Sequence, residues 1–171
     1  MAFPLEVDRK DYLLTIDTNT SPFLKGVLMP GINVSPLFLD PTNGLWVLRV
    51  KFEPGVILPI HFHTGPVHFF TISGSWHYAE FPNQVQKAGS YLYEPGGSVH
   101  QFVCPATNTE DTDSFMMVTG TNINFDANGE YLGILDAGLI KALVDQAAKE
   151  QGFPNAGYIS PGETNYIDRL K

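Results

Sequence analysis

Between residues 34 and 125 the chain runs as short β-prone stretches, each closed off by Gly, Pro or Asn, with no helical segment between them. VSPLFL (34–39), LWVLRVKF (45–52), VHFFTIS (67–73), SWHYAEF (75–81), SYLYE (90–94), VHQFVC (99–104) and SFMMVTGTNINF (114–125) are rich in the β-branched and aromatic residues that strands favour. Strands that follow one another at this spacing without intervening helices point to an all-β sandwich or barrel. In LWVLRVKF, Trp46, Leu48, Val50 and Phe52 fall on one side and Arg49 and Lys51 on the other, the alternation of a strand with one dry face.

The character changes after Asn128-Gly129. DAGLIKALVDQAAKEQG (136–152) sets Leu139, Ile140, Leu143, Val144 and Ala147 along one stripe, which predicts an amphipathic helix N-capped by Asp136 and C-capped by Gly152. Such a stripe docks on a barrel or on a second subunit. A chain of 171 residues makes one structural domain the expectation. Its parts are an N-terminal arm (1–33) packed on the barrel, the barrel itself (34–126), and a C-terminal helix and tail (127–171). The tail, FPNAGYISPGETNYIDRLK, holds too many turn residues for regular structure and is free to wrap the barrel or a neighbouring subunit.

Charge and cysteine content remove several function classes. A net charge of −8 argues against nucleic acid, which needs a basic surface. Cys104 is the single cysteine, so neither an intrachain disulfide nor a cysteine-based zinc site can form. No stretch approaches the length of apolar sequence that spans a bilayer. The start, MAFPLEVDRKD, has neither a basic n-region nor an apolar h-region, so the expected location is cytoplasmic and the sequons at Asn19 and Asn33 are chance matches.

Chemistry concentrates in the histidines. In a strand, residues i and i+2 point the same way, so His61 and His63 can reach one metal ion as a pair. Gly65-Pro66 then turns the chain to bring His68 back opposite them, and His100 opens a later strand that can lie alongside. Unpaired imidazoles clustered in an apolar barrel would be costly, which favours ligation, and imidazole suits iron, zinc, copper, nickel or manganese. His77, past Gly74, reads as solvent-facing. Cys104 lies roughly 13 Å along a strand from His100, too far to share an ion, and reads as a buried packing residue. Tyr78, Tyr91, Tyr93, Trp46, Trp76, Phe70, Phe102 and Met117 are candidates to line an aromatic-sized pocket.

GVILPIHFHTGPVHFFTISG (55–74) resembles the first cupin motif: Gly, five residues, HxH, three or four residues, usually Glu, about six residues, Gly. GSYLYEPGGSVHQFVC (89–104) resembles the second: Gly, five residues, PxGxxH, three residues, usually Asn, with Cys104 in the last place. The resemblance implies a double-stranded β-helix, a small jelly-roll barrel with its metal inside, held by His61, His63 and His100. It puts His68 where most cupins have glutamate, as a fourth ligand or close neighbour. That exchange would make the centre one unit more positive, about 4 kcal/mol at ~4 Å and an effective dielectric of ~20, and would favour an anionic substrate such as an enolate or phenolate.

HFHTGPVHFFTISGSWHY followed by YEPGGSVHQFV is also similar to the 2,4'-dihydroxyacetophenone dioxygenase group and, more distantly, to diketone-cleaving cupins. These resemblances imply a non-haem Fe(II) homodimer or homotetramer that splits a carbon–carbon bond beside a carbonyl using O2, with Mn, Ni, Zn or Cu as other metals. Glu94, just before the Pro-Gly-Gly turn, is then a candidate to take a substrate proton or to hold a histidine by a hydrogen bond. The same scaffold also serves metal-dependent isomerases, decarboxylases and non-catalytic sensors, so fold does not fix reaction.

Overall fold

The computed structural model describes residues 14–161. Residues 1–13 of the expected N-terminal arm and 162–171 of the tail lie outside them. β1 (Leu24–Lys25), β2 (Ile32–Asp40), β3 (Leu45–Phe52), β4 (Ile60–His63), β5 (Val67–Ser73), β6 (Ser75–Tyr78), β7 (Gln86–Lys87) and β8 (Tyr91–Glu94) come first. β9 (Phe102–Val103), β10 (Thr112–Thr119), β11 (Asn122–Phe125), β12 (Tyr131–Leu135) and the helix α1 (Ala137–Glu150) complete the order. A six-stranded antiparallel sheet runs β1-β2-β3-β10-β5-β8. Facing it are two three-stranded sheets, β12-β11-β4 and β7-β6-β9. The bridges His61↔His100 and Ile57↔Val103 join these two into one opposing wall. This is the all-β barrel that the strand pattern predicts, in the jelly-roll form that the cupin resemblance implies.

The dry side of β3 behaves as its alternation predicts: Trp46, Leu48, Val50 and Phe52 are all buried. Arg49 and Lys51 point outward, where the N-terminal segment covers them. Arg49 pairs bidentately with Asp113 (Nε–Oδ1 3.0 Å, Nη2–Oδ2 2.6 Å) and donates from Nη1 to the Thr18 carbonyl. Both cations sit over the Phe23 ring, Lys51 Nζ at 4.7 Å from its centroid. Phe52, Phe69 and Phe102 meet inside the barrel, with Trp76 stacked behind Phe102 at 4.9 Å and its indole N–H given to Thr71 Oγ1. Gly74 links β5 to β6 at φ 74°, and a Cβ there would lie 2.7 Å from the Thr112 Cα, so both the backbone conformation and the approach demand glycine.

Asp136 caps α1 by accepting from the Leu139 N–H, as expected. Its C-cap is Gln151, with Gly152 one residue beyond the position expected for it. The helix docks through Ala137, Ile140, Val144, Ala147 and Ala148, while Leu139 stays exposed. β12 carries the wall on to Leu135, past the barrel end expected at residue 126. The tail returns to β2, where Ile159 exchanges hydrogen bonds with the Leu37 carbonyl and the Leu39 N–H. Along the free side of β2, β1 pairs with Asn33 and Val34 and Ile159 with Phe38.

Candidate metal centre

β4 alternates Ile60 and Phe62 with the buried His61 and His63, so both imidazoles face the barrel interior. His100 enters from the chain leading into β9, fixed opposite His61 by reciprocal backbone hydrogen bonds of 2.9 Å. The three side chains offer ligand atoms within 4.8 Å of one another. His61 Nδ1 lies 2.8 Å from the Pro59 carbonyl, which only an N–H can satisfy, so its Nε2 is left as a free lone pair. Burial pushes His63 and His100 down to about 3, the neighbouring histidines adding to the shift, and it lowers His61 as well. The three imidazoles are therefore neutral at neutral pH, with lone pairs available to a cation.

His68 is not part of it. In β5, Val67 and Phe69 are buried and His68 between them faces out, with Nδ1 2.9 Å from the Tyr91 hydroxyl and its ring beside Tyr91 and Tyr93. The expectation that His68 occupies the glutamate position was off by one residue. With six residues before Gly74, the motif's glutamate falls on Val67, and period-two geometry sends Val67 inward. The added positive charge expected from His68 is accordingly absent.

A carboxylate is supplied from the next strand instead. Val67 and Glu94 are direct cross-strand partners in β5 and β8, so Glu94 projects into the same space that a glutamate at 67 would fill. Its Oε2 is 3.4 Å from His63 Nε2 and 3.3 Å from His100 Nε2. Its Oε1 accepts from the Tyr78 hydroxyl. Burial pushes the Glu94 carboxyl up to about 7 against that hydrogen bond, and burial followed by the Glu94 charge raises Tyr78. Glu94 Oε2, His100 Nε2 and His63 Nδ1 are buried without hydrogen-bond partners. Buried polar atoms without partners are costly unless a cation satisfies them, and three imidazoles suit a divalent first-row metal.

The cluster opens into a cavity of about 470 Å³. Of the aromatic candidates, Trp46, Tyr78 and Phe102 line it, while Trp76 packs behind. Phe70, Tyr91 and Tyr93 lie exposed outside the barrel, and Met117, in register with His68, shares that outer face. Met116 takes the inward place. His77 is partly buried on β6. Cys104 is buried, with Sγ 3.4 Å from Thr112 Oγ1, and stands apart from the metal cluster. Sequence reasoning missed Asn122 and Asn124, which line the cavity beside the histidines.

No helix among the described residues is long and apolar enough to cross a membrane. No curated protein matches the chain. Among solved structures, a cupin-like protein of unknown function from Ralstonia eutropha JMP134 is 50% identical and superposes with a TM-score of 0.87, covering 94% of this chain and 99% of that one. An RmlC-like cupin from the same organism is 24% identical, with a TM-score of 0.76 and coverage of 84% and 92%. An acetylacetone dioxygenase from Acinetobacter johnsonii shares the fold at 19% identity, with a TM-score of 0.62 and coverage of 84% and 97%. The model of the ChrR cupin-like domain matches residues 12–122, the segment that carries every residue of the cluster. The chain belongs to the ChrR cupin-like family.

Proposed function

We propose that this chain is a non-haem Fe(II) dioxygenase that cleaves the carbon–carbon bond beside the carbonyl of a hydroxy-ketone or diketone, aryl ketones being favoured. The observation that carries the reading is the His61–His63–His100 cluster, with Glu94 against it, at the base of an apolar cavity of about 470 Å³. That size suits a small organic substrate, and the apolar wall suits its hydrocarbon part. The same barrel in an acetylacetone dioxygenase supports compatibility of the fold. Bound iron would supply Lewis-acid polarisation of the carbonyl and reactivity toward O2.

The protein's own residues then have defined parts. His61, His63 and His100 present lone pairs, with His61 locked in its tautomer by the Pro59 carbonyl. Glu94 is placed to take the proton that the substrate loses, because its carboxylate is held by Tyr78 within reach of the cluster. Trp46, Phe69 and Phe102 exclude water around the reacting carbon. A hydroxy-ketone plus O2 yields two carboxylic acids, both oxygen atoms being retained in the products, with no outside reductant.

Metal-free protein loaded anaerobically with Fe(II), Mn(II), Ni(II) or Zn(II) and offered hydroxy-ketones, β-diketones and a carboxylic acid control tests this. Oxygen uptake with iron alone, matched by carboxylate products and lost in His61→Ala, is the expected result. Tight stoichiometric metal binding with no uptake for any metal would instead favour an isomerase or a sensor.

A further inference from the structure

One polar side chain in the cavity has no part in the metal cluster and no partner. Asn122 is 7% exposed, and its Oδ1 is buried without a hydrogen bond. β11 pairs with β4 so that Asn122 stands opposite His63 and Asn124 opposite His61, which puts both carboxamides on the side of the strands that bears the imidazoles. Among the described residues, the polar side chains lining the cavity are the three histidines, Glu94, Tyr78, Asn122, Asn124 and Trp46, whose indole N–H is given to the Gly120 carbonyl. Tyr78 and Glu94 are hydrogen-bonded to each other, and Asn124 Nδ2 donates to the Gly133 carbonyl at 3.5 Å. The rest of the lining, including Leu28, Met29, Leu58, Leu135 and Leu143, has no side-chain polar atom that could serve Asn122.

We propose that Asn122 is a substrate-positioning residue whose carboxamide oxygen accepts a hydrogen bond from a ligand hydroxyl, so that the site selects hydroxy-ketones over β-diketones. The proposal rests on reading the cavity as a ketone site and narrows the substrate class. A buried acceptor left unpaired is costly, and the group that relieves it must bring a donor. Ketone and diketonate oxygens carry only lone pairs and leave Asn122 Oδ1 unsatisfied. A hydroxyl on the β11 side of the bound ligand pairs with it. Sites built to hydrogen-bond a hydroxyl discriminate strongly against analogues that lack one, because the protein's own group is then stranded.

The test uses the full chain loaded with Zn(II), so that binding is read without turnover. Dissociation constants are measured by calorimetry for 2-hydroxy-1-phenylethanone, its 2-methoxy counterpart and acetylacetone, in wild type and Asn122→Leu, with zinc content counted in both. Wild type should prefer the hydroxyl over the methoxyl ligand, and N122L should shrink that ratio by about tenfold, the scale of one buried hydrogen bond. Acetylacetone should lose no affinity. Because the ratio is compared between two proteins, steric and metal-binding differences between the ligands cancel.

An unchanged ratio overturns the proposal, as does equal weakening of all three ligands, which would mean that Asn122 merely holds a water. If N122L fails to retain zinc, Asn122→Ala replaces it. Lack of any hydroxyl preference in wild type, or of any binding, overturns the proposal without a variant. Absence of O2 uptake by the iron-loaded protein would remove the dioxygenase reading and leave these binding ratios standing, so the two failures are distinguishable.

Discussion

The two faces of the β5–β8 ladder carry opposite chemistry on adjacent rungs. Val67 and Glu94 form one rung and point inward, where Glu94 meets His63 and His100. His68 and Tyr93 form the next and point outward, among Tyr91 and Phe70. One residue along the strand thus separates a carboxylate facing the histidine cluster from an imidazole held by a surface tyrosine. Residue type makes chemistry possible, and strand parity decides whether it is used.

The largest effect should come from the inner face. His100→Ala should cost more metal affinity than the roughly 10–100-fold typical of losing an outer hydrogen-bond partner. Metal-to-protein ratio after dialysis measures it, and stoichiometric retention would show that the cluster is not the metal site. Next comes the carboxylate. Glu94→Gln should keep the metal but lower turnover by about 10²–10⁴-fold, the range of a lost general base. Val67→Glu combined with Glu94→Val, which moves the carboxylate across the rung, should recover turnover relative to Glu94→Val alone. No recovery would mean that the two positions are not equivalent in reach.

Acid should destabilise the metal-free protein. His63 and His100 are held at about 3 when folded, so from near pH 6.5 downward the unfolded chain binds more protons and stability falls. Glu94, raised to about 7, works in the opposite sense between about 4.5 and 7, as one group against these histidines. The net loss should be on the order of 1 kcal/mol per pH unit below 6.5, seen as a falling melting temperature of the metal-free protein between pH 6.5 and 5. A flat profile would contradict burial of neutral imidazoles. The smallest effect belongs to the outer face. His68→Ala should leave metal content unchanged and shift stability by about 1 kcal/mol or less, as expected for a surface hydrogen bond. Loss of metal there would restore His68 to the site.

The barrel was legible because its strands alternate cleanly: β3 and β5 have the bounds their residue patterns predict, and HxH spacing placed His61 and His63 together. His68 was misplaced because a gap of three or four residues spans a change of parity, and only the count back from Gly74 resolves it. β12 went unread because Tyr131, Leu132 and Ile134 are exposed and give no dry face, although Asn128-Gly129, with Gly129 at φ 81°, carries the hairpin signal. Asn122 had no motif to announce it. Its place beside His63 depends on the register of β11 with β4, which joins residues 59 apart in the chain.

The way the chain flanks β2 has a consequence for life in a crowded solution. β2 is nine residues long, and its free side is occupied by β1 at one end and by Ile159 at the other. Left bare, such a side offers a row of backbone donors and acceptors on which a foreign strand can build. The returning tail acts as a guard against self-templated aggregation, which is why a chain cut before Ile159 should cloud at concentrations where the intact one stays clear.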